Sequence, residues 1–455
     1  MSLIRDVEDR PASAEAVSVI DRDDQWVIKP WSRQGRVPFE IVRGDGSYFW
    51  DGNGNRYLDF ESQLVNLNLG HQHPRLVSAI QAQAARLCYA GTSVAAKPRA
   101  DLAEAIAGVA PGDLSMSYFT TGGATAIEAA IRFARNVTGR SKIVSRYRSY
   151  HGGTQAALTL TGEKRRWAAE PGSPGAVRIL DPYTYRCPAG HPDPCPVCTG
   201  APHVEEILRY ENPASVAAIV LESVTGTNGV IVPPDGYLAS IRQLCDKYGI
   251  LLILDEVMVG FGRTGKWFAS EHWDVVPDIM VVAKGINSGY VPLGAMIASE
   301  KFRPWLRENT FTSGMTYSGH PLACAVAVES IAVMKEYNVV EQAADNGAYL
   351  GSMLTQLQDR HPSIGEVRGL GMFWGLEIVR NRETREPLVP LNGSAADNAP
   401  MSKVVAEALR LGLYISGHQN IVRLAPPLTI TRQEITQGVE ILDQALMLAD
   451  SYMTE

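Results

Sequence analysis

Three reactive side chains stand at the ends of three short apolar runs. Ala217-Ala218-Ile219-Val220-Leu221 ends at Glu222, Leu251-Leu252-Ile253-Leu254 ends at Asp255-Glu256, and Ile279-Met280-Val281-Val282-Ala283 ends at Lys284. Carboxylates and a lysine converging on one place make an active site in outline, with Asp255 and Lys284 its principal actors. Convergence requires the runs to be neighbouring strands. Each is short, continuous and rich in β-branched residues or leucine, as expected of a strand buried on both faces. A helical segment, Gly236 to Tyr248, separates the first two, and strands alternating with helices predict a parallel sheet. In such sheets ligands bind outside the carboxyl ends of the strands, where all three residues stand.

Other stretches can contribute to the same edge. In Tyr118-Phe119-Thr120-Thr121-Gly122-Gly123-Ala124-Thr125-Ala126-Ile127-Glu128 a strand runs through paired glycines into a helix. Backbone N–H groups and the positive end of the helix dipole at such a turn suit a phosphate, although most Gly-Gly turns bind nothing. Within that helix, Glu128 and Arg132 are spaced as an i,i+4 ion pair. The strand Lys142-Ile143-Val144 leads to Tyr150-His151-Gly152-Gly153, where an aromatic at a strand end can present its face to a planar ligand or simply fill core. A glycine-rich loop, Gly260-Phe261-Gly262-Arg263-Thr264-Gly265, follows Asp255. Hydroxyl residues from Phe311 to Pro321 precede a helix and offer a further anion contact.

Composition narrows the function classes. The 455-residue chain has ordinary apolar and charged contents and a net charge of −7 with no long basic run, which argues against nucleic-acid binding. No stretch approaches the ~20 apolar residues of a membrane span, and the polar N-terminus lacks a signal-peptide core, so a cytoplasmic protein is expected. Six cysteines do not make a secreted disulfide framework. Three of them, Cys187, Cys195 and Cys198, lie in a Pro-rich loop with His191 and His203 nearby. Zinc ligation by Cys187, Cys195, Cys198 and His203 is conceivable, but with a single C-x2-C pair the expectation is reduced cysteines in a surface loop and no metal.

The chain ends predict a second domain. Residues up to about 24 read as a flexible arm. Trp26 and Trp31 follow it, as staples or as pocket walls. Gly and Asn turns from Ile41 to Phe60 predict a β-meander. His71 and His73 read as a turn before a helix rather than a metal site. Beyond residue 338 helices and strands alternate to a last helix beginning at Thr431, with Glu434 completing a capping box and Ile435, Val439, Leu442 and Leu446 on one face. The boundaries expected are an arm and part of a small domain at 1–65, a large domain at 66–330 and the rest of the small domain at 331–455.

Taken together, Leu254-Asp255-Glu256-Val257, the loop Gly260 to Gly265, Pro277-Asp278-Ile279, Ala283-Lys284-Gly285-Ile286, Pro292-Leu293-Gly294-Ala295 and Thr316-Tyr317-Ser318-Gly319-His320-Pro321 resemble the class III (ω-type) aminotransferases of the fold-type I pyridoxal 5'-phosphate (PLP) superfamily. The likeness runs from about residue 24 to the C-terminus, and the 29-residue step from Asp255 to Lys284 is its most specific part. It implies an α/β fold, with a large domain built on a mostly parallel sheet and a smaller α+β domain formed from both chain ends. It also implies a homodimer with the active site at the subunit interface. Lys284 would hold PLP as a Schiff base and then move the proton of the substrate carbon, which requires a partly desolvated amine. Asp255 would pair with the protonated pyridine nitrogen. Val257 and Tyr150 would cover the two ring faces, and Gly123 and Ala124 would bind the phosphate through backbone N–H. Thr316 would reach the phosphate of the partner subunit's cofactor, and Glu222 would lie beside the ring.

Two departures bear on substrate. The phosphate turn reads Gly122-Gly123-Ala124-Thr125 where the family commonly has Ser-Gly-Ser-Glu, so backbone donors, Thr120 or Thr121 must compensate. Residue 153, often an arginine in members that use 2-oxoglutarate, is glycine. Arg423 matches a family arginine that binds the α-carboxylate. One carboxylate clamp rather than two favours pyruvate. The expected reaction is ping-pong transfer from a primary (ω-type) amine to a 2-oxo acid, pyruvate giving alanine. Trp26, Trp31 and Tyr89 are expected to shape the donor pocket. The rivals are a 2-oxoglutarate-dependent enzyme, an aminomutase or decarboxylating aminotransferase, and a PLP- or zinc-binding regulatory protein.

Overall fold

The computed structural model describes residues 18–190, 195, 198 and 202–454. Its centre is a seven-stranded sheet in the order Leu114–Thr120, Gly294–Ser299, Ile279–Val282, Leu251–Asp255, Val216–Glu222, Lys142–Arg146 and Ala176–Ile179. The pairings among the last five strands are parallel. Gly294–Ser299 runs antiparallel to both its neighbours. The sheet is therefore mostly parallel, as the apolar runs predict.

Alternate residues of these strands enter two separate cores. Ala218, Val220 and Ile253 face the helix Gly123–Thr138, through Ala126, Ile127 and Ala130. Ile219, Leu221, Leu252 and Leu254 face the helix Tyr237–Tyr248, through Leu238 and Ile241. Covering both faces of the sheet leaves only strand ends open to a ligand.

The two chain ends meet as the resemblance implies. The meander Ile41–Asp45, Tyr48–Asp51 and Arg56–Asp59 takes Leu413–Tyr414 from the C-terminal part as its fourth strand. A second small sheet joins Ile364–Leu370, Phe373–Asn381, Glu386–Pro387, Ser416–His418 and Ile421–Leu424. Leu58 and Phe60 share one core with Leu424, Leu446, Phe261 and Ile286, which ties this unit to the large sheet. The last helix, Arg432–Asp450, has the expected capping box: the Glu434 backbone N–H donates to Thr431 Oγ1 and the Thr431 backbone N–H to the Glu434 carboxylate.

Some local expectations change. Ser18 caps a helix Val19–Trp26 inside the segment expected to be an arm, whose residues 1–17 lie outside the described residues. The pair Glu128–Arg132 is not formed. Glu128 instead accepts the backbone N–H groups of Ala156 and Ala157, the unsatisfied donors opening the helix Gln155–Leu160, and Arg132 donates to the Thr312 carbonyl. Capping a neighbouring helix end outweighs a surface ion pair worth a few tenths of a kcal/mol. His73 precedes the helix Pro74–Arg86 and His71 pairs with Asp59. No helix among the described residues is long and apolar enough to cross a membrane.

Candidate active site

Register brings the three strand-end residues together. Glu222 lies directly opposite Asp255, and Asp255 opposite Val281, three residues before Lys284. All three line one cavity of about 380 Å³, with Gly122, Gly123 and Ala124 from the helix turn and with Tyr150 and Val257.

Lys284 sits at the turn after its strand with φ +44, a left-handed backbone that costs a non-glycine residue about 1–3 kcal/mol. Burial lowers its amine from the usual 10.5 to about 8, helped by the Arg423 charge and opposed by Asp255, Glu222 and Glu61. At pH 7 about one amine in ten is then neutral, against fewer than one in a thousand for an ordinary lysine. Asp255 is buried. One oxygen accepts the Val257 backbone N–H at 3.1 Å, and the other lies 2.7 Å from His151 Nδ1. His151 is also buried, and its Nε2 has no hydrogen-bond partner among the described residues. With Nδ1–H donating, the imidazole orients the carboxylate without removing its charge. Glu222 braces the site: its two oxygens accept the N–H groups of Tyr150 at 3.1 Å and Gly226 at 2.7 Å. Burial pushes its carboxyl upward, partly countered by His151.

The opposite end of the cavity suits an anion. The helix Gly123–Thr138 begins there with its N–H groups forward and no side-chain cap. Thr120 and Thr125 both spend their hydroxyls on the Gly122 carbonyl, at 3.0 and 2.9 Å, which fixes the glycine turn. Thr121 lines the cavity and is the hydroxyl left to replace the one missing from the turn. A Cβ at Gly123 would sit 2.9 Å from Val257, and one at Gly152, φ +133, would collide with Ala124. Glycine at both positions lets the strand end, the helix turn and Val257 close around one small volume. A buried carboxyl group at one end, a lysine that is partly neutral at pH 7 and an anion cradle at the other match the ring nitrogen, aldehyde and phosphate of PLP.

The model for aminotransferase class-III matches residues 31–446. The chain is a class III aminotransferase. This aminotransferase is 35% identical over 420 residues to putrescine–pyruvate aminotransferase of Pseudomonas aeruginosa, covering 89% of this chain and 90% of that one. Its structure is similar to that of taurine:2-oxoglutarate aminotransferase from Bifidobacterium kashiwanohense in complex with PLP and glutamate, with TM-score 0.92, 40% identity, and 96% and 98% of the two chains covered. It is also similar to an (S)-enantioselective omega-transaminase from Thermomicrobium roseum, with TM-score 0.90, 37% identity, and 96% and 100% coverage. PLP is the cofactor of this aminotransferase.

The remaining expected site residues are placed unequally. Trp31 reaches the site, its ring edge-on to Tyr150 at 6.3 Å and against Gly153. Trp26 is 76% exposed at the end of its helix, with no ring contact to the cavity among the described residues. Thr316 is exposed, its carbonyl accepting from Tyr89 Oη, and it does not line the cavity of its own chain. Arg423 is buried and paired with Glu61. Arg263, in the glycine-rich loop, is fully buried and holds the Met372 and Pro426 carbonyls and Asn68, so that loop is structural.

Sequence reasoning missed three contributors. His151 was visible beside Tyr150, but nothing in the sequence aims it at Asp255. Glu61 follows a meander that showed no chemistry. Arg165 places its guanidinium 3.9 Å over the Tyr150 ring and pairs with Glu163, while its Nη2 is buried without a hydrogen-bond partner among the described residues. It belongs to a cationic wall: burial, then Arg165, Arg423, Lys164 and Arg148, pushes His418 down to about 4.

Proposed function

We propose that this aminotransferase takes the amino group from a primary amine remote from any carboxylate and passes it, in a ping-pong cycle, to a 2-oxo acid, with pyruvate as acceptor. The observation carrying this reading is the Arg423–Glu61 pair close to the Lys284 amine. Closed on Glu61, Arg423 is neutralised and tolerates a carboxylate-free donor. Released from Glu61, it is a fork for the carboxylate of an oxo acid. The putrescine–pyruvate relative uses such a pair of substrates.

Each half-reaction needs a proton moved at the amine-bearing carbon. Bound PLP supplies the electron sink for that step. The neutral Lys284 amine takes the proton and returns it, because burial keeps its pKa near the working pH. Asp255, oriented by His151 and the Val257 N–H, holds a proton on the ring nitrogen. Glu222 keeps Tyr150 fixed as a wall of the site. A homodimer in which Thr316 faces the partner's phosphate site fits its exposure away from its own cavity.

A second reading, 2-oxoglutarate as acceptor, is favoured by Arg165, whose Nη2 beside Tyr150, without a partner among the described residues, offers the second cation that Gly153 does not. The taurine:2-oxoglutarate aminotransferase is the corresponding structural relative. One screen decides between them. Each of putrescine, β-alanine and taurine is incubated with pyruvate or with 2-oxoglutarate, and alanine and glutamate are measured. Alanine without CO2 release supports the first reading, and glutamate alone replaces it with the second. Neither product with any donor removes both.

A further inference from the structure

Two of the three cysteines expected to lie reduced in a surface loop are buried. Cys195 and Cys198 are 1% and 0% exposed. The sulfurs of Cys187, Cys195 and Cys198 all lie within 4.8 Å of one another, those of Cys187 and Cys195 being 3.1 Å apart. A disulfide uses two sulfurs and has no need of a third within reach. A tetrahedral zinc with Zn–S of ~2.3 Å sets its sulfurs about 3.8 Å apart, so this group needs only small shifts to accept one. His203, the other ligand the sequence offers, does not join the group among the described residues.

The position of the group gives it a task. Just before Cys187, Tyr183 donates to Glu377, Arg186 donates to the same carboxylate at 2.5 Å, and the Tyr185 carbonyl accepts from Arg385 at 2.6 Å. Glu377 and Arg385 belong to the small domain. Just after Cys198, the helix Pro202–Tyr210 buries Val204 and Leu208 against Val144, Ile179 and Val216 of the large sheet. The cysteines therefore join a segment anchored on one domain to a helix anchored on the other.

We propose that Cys187, Cys195 and Cys198 form a structural zinc site, separate from the PLP cavity, that fastens the large domain to the small one. Zinc enters as the dication, the three thiols bind it as thiolates, and their protons leave to solvent. A water or another donor completes the tetrahedron. No redox step is involved.

Elemental analysis of holoenzyme expressed with zinc in the medium and purified without chelator tests this. About one zinc per chain is expected, falling below a tenth in Cys195→Ser/Cys198→Ser while the PLP absorbance is retained and the thermal midpoint falls. Should that variant fail to fold, thiol modification of the wild type with a mercurial must release the zinc to a colorimetric chelator at one equivalent per chain. Wild-type protein with less than a tenth of a zinc per chain overturns the proposal. So does iron in its place, a Cys187–Cys195 disulfide found by mass analysis of unreduced protein, or zinc that survives thiol modification.

Discussion

Arg423 and Glu61, 362 residues apart in sequence, are closed on each other at the edge of the lysine site: Arg423 Nε donates to Glu61 Oε1 at 2.9 Å, and Nη2 donates to the same oxygen. Ser416 donates to the other oxygen, so Glu61 is held ready as a counter-ion. In the role proposed for Arg423, an oxo acid competes with this carboxylate for the guanidinium. Glu61→Gln keeps the side chain's shape and removes the competing charge. The KM for the oxo acid should fall about tenfold, one charge-assisted contact's worth, with the KM for a carboxylate-free amine unchanged or raised. Arg423→Ala should raise the oxo-acid KM selectively. Parallel changes for both substrates would remove the pair from this role.

The lysine makes a pH prediction. In the role proposed for Lys284, capture of PLP by apoenzyme needs its neutral amine. With a value of about 8, the rate should rise about tenfold from pH 6 to 7 and level off above pH 8. A rate still climbing at pH 10 would show an ordinary lysine. The sign for stability follows. The folded value lies below the unfolded one, so the buried cation costs stability in full below pH 8, and that cost fades as the pH rises toward 10.5. Lys284→Ala should abolish turnover yet raise the apoenzyme's thermal midpoint at pH 7, with a smaller gain near pH 10.

His151 contacts Asp255 directly, which makes it a positioning residue for the role proposed for Asp255. His151→Ala should lower kcat about 10- to 100-fold, the worth of one hydrogen bond to a charged group, with PLP still bound. Asp255→Asn should cost more, because the sink itself weakens. An unchanged kcat in His151→Ala with intact PLP absorbance would dismiss the contact.

Arg165 separates the two acceptor readings. Arg165→Ala should raise the KM for 2-oxoglutarate by at least tenfold and leave that for pyruvate within about twofold. Equal effects on both acids would assign Arg165 to packing on Tyr150 and Trp31.

A structural control lies far from the chemistry. Thr431→Ala removes the hydroxyl that accepts the Glu434 N–H and should cost about 1 kcal/mol in denaturant unfolding, with turnover unchanged.

By itself the sequence determined what is local. Apolar runs long enough for one buried strand, each followed at once by its reactive residue, place Glu222, Asp255 and Lys284 at the ends of parallel strands, because a strand's side chains and direction follow from a few residues. The glycine turn at Gly122-Gly123 and the cap at Thr431 are legible for the same reason. The class III motifs supplied roles for these residues that periodicity alone does not contain. Tertiary structure decided everything that depends on residues distant in sequence. Glu61 meets Arg423 only when the two chain ends form one domain, His151 meets Asp255 only across neighbouring strand ends, and Glu128 abandons Arg132 for a helix end 28 residues away. The cysteines show the same limit. Their spacing suggested reduced cysteines in a surface loop, but burial is set by what packs over a segment, and the flanking contacts that bury Cys195 and Cys198 come from two different sheets, through Glu377 on one side and Val144, Ile179 and Val216 on the other.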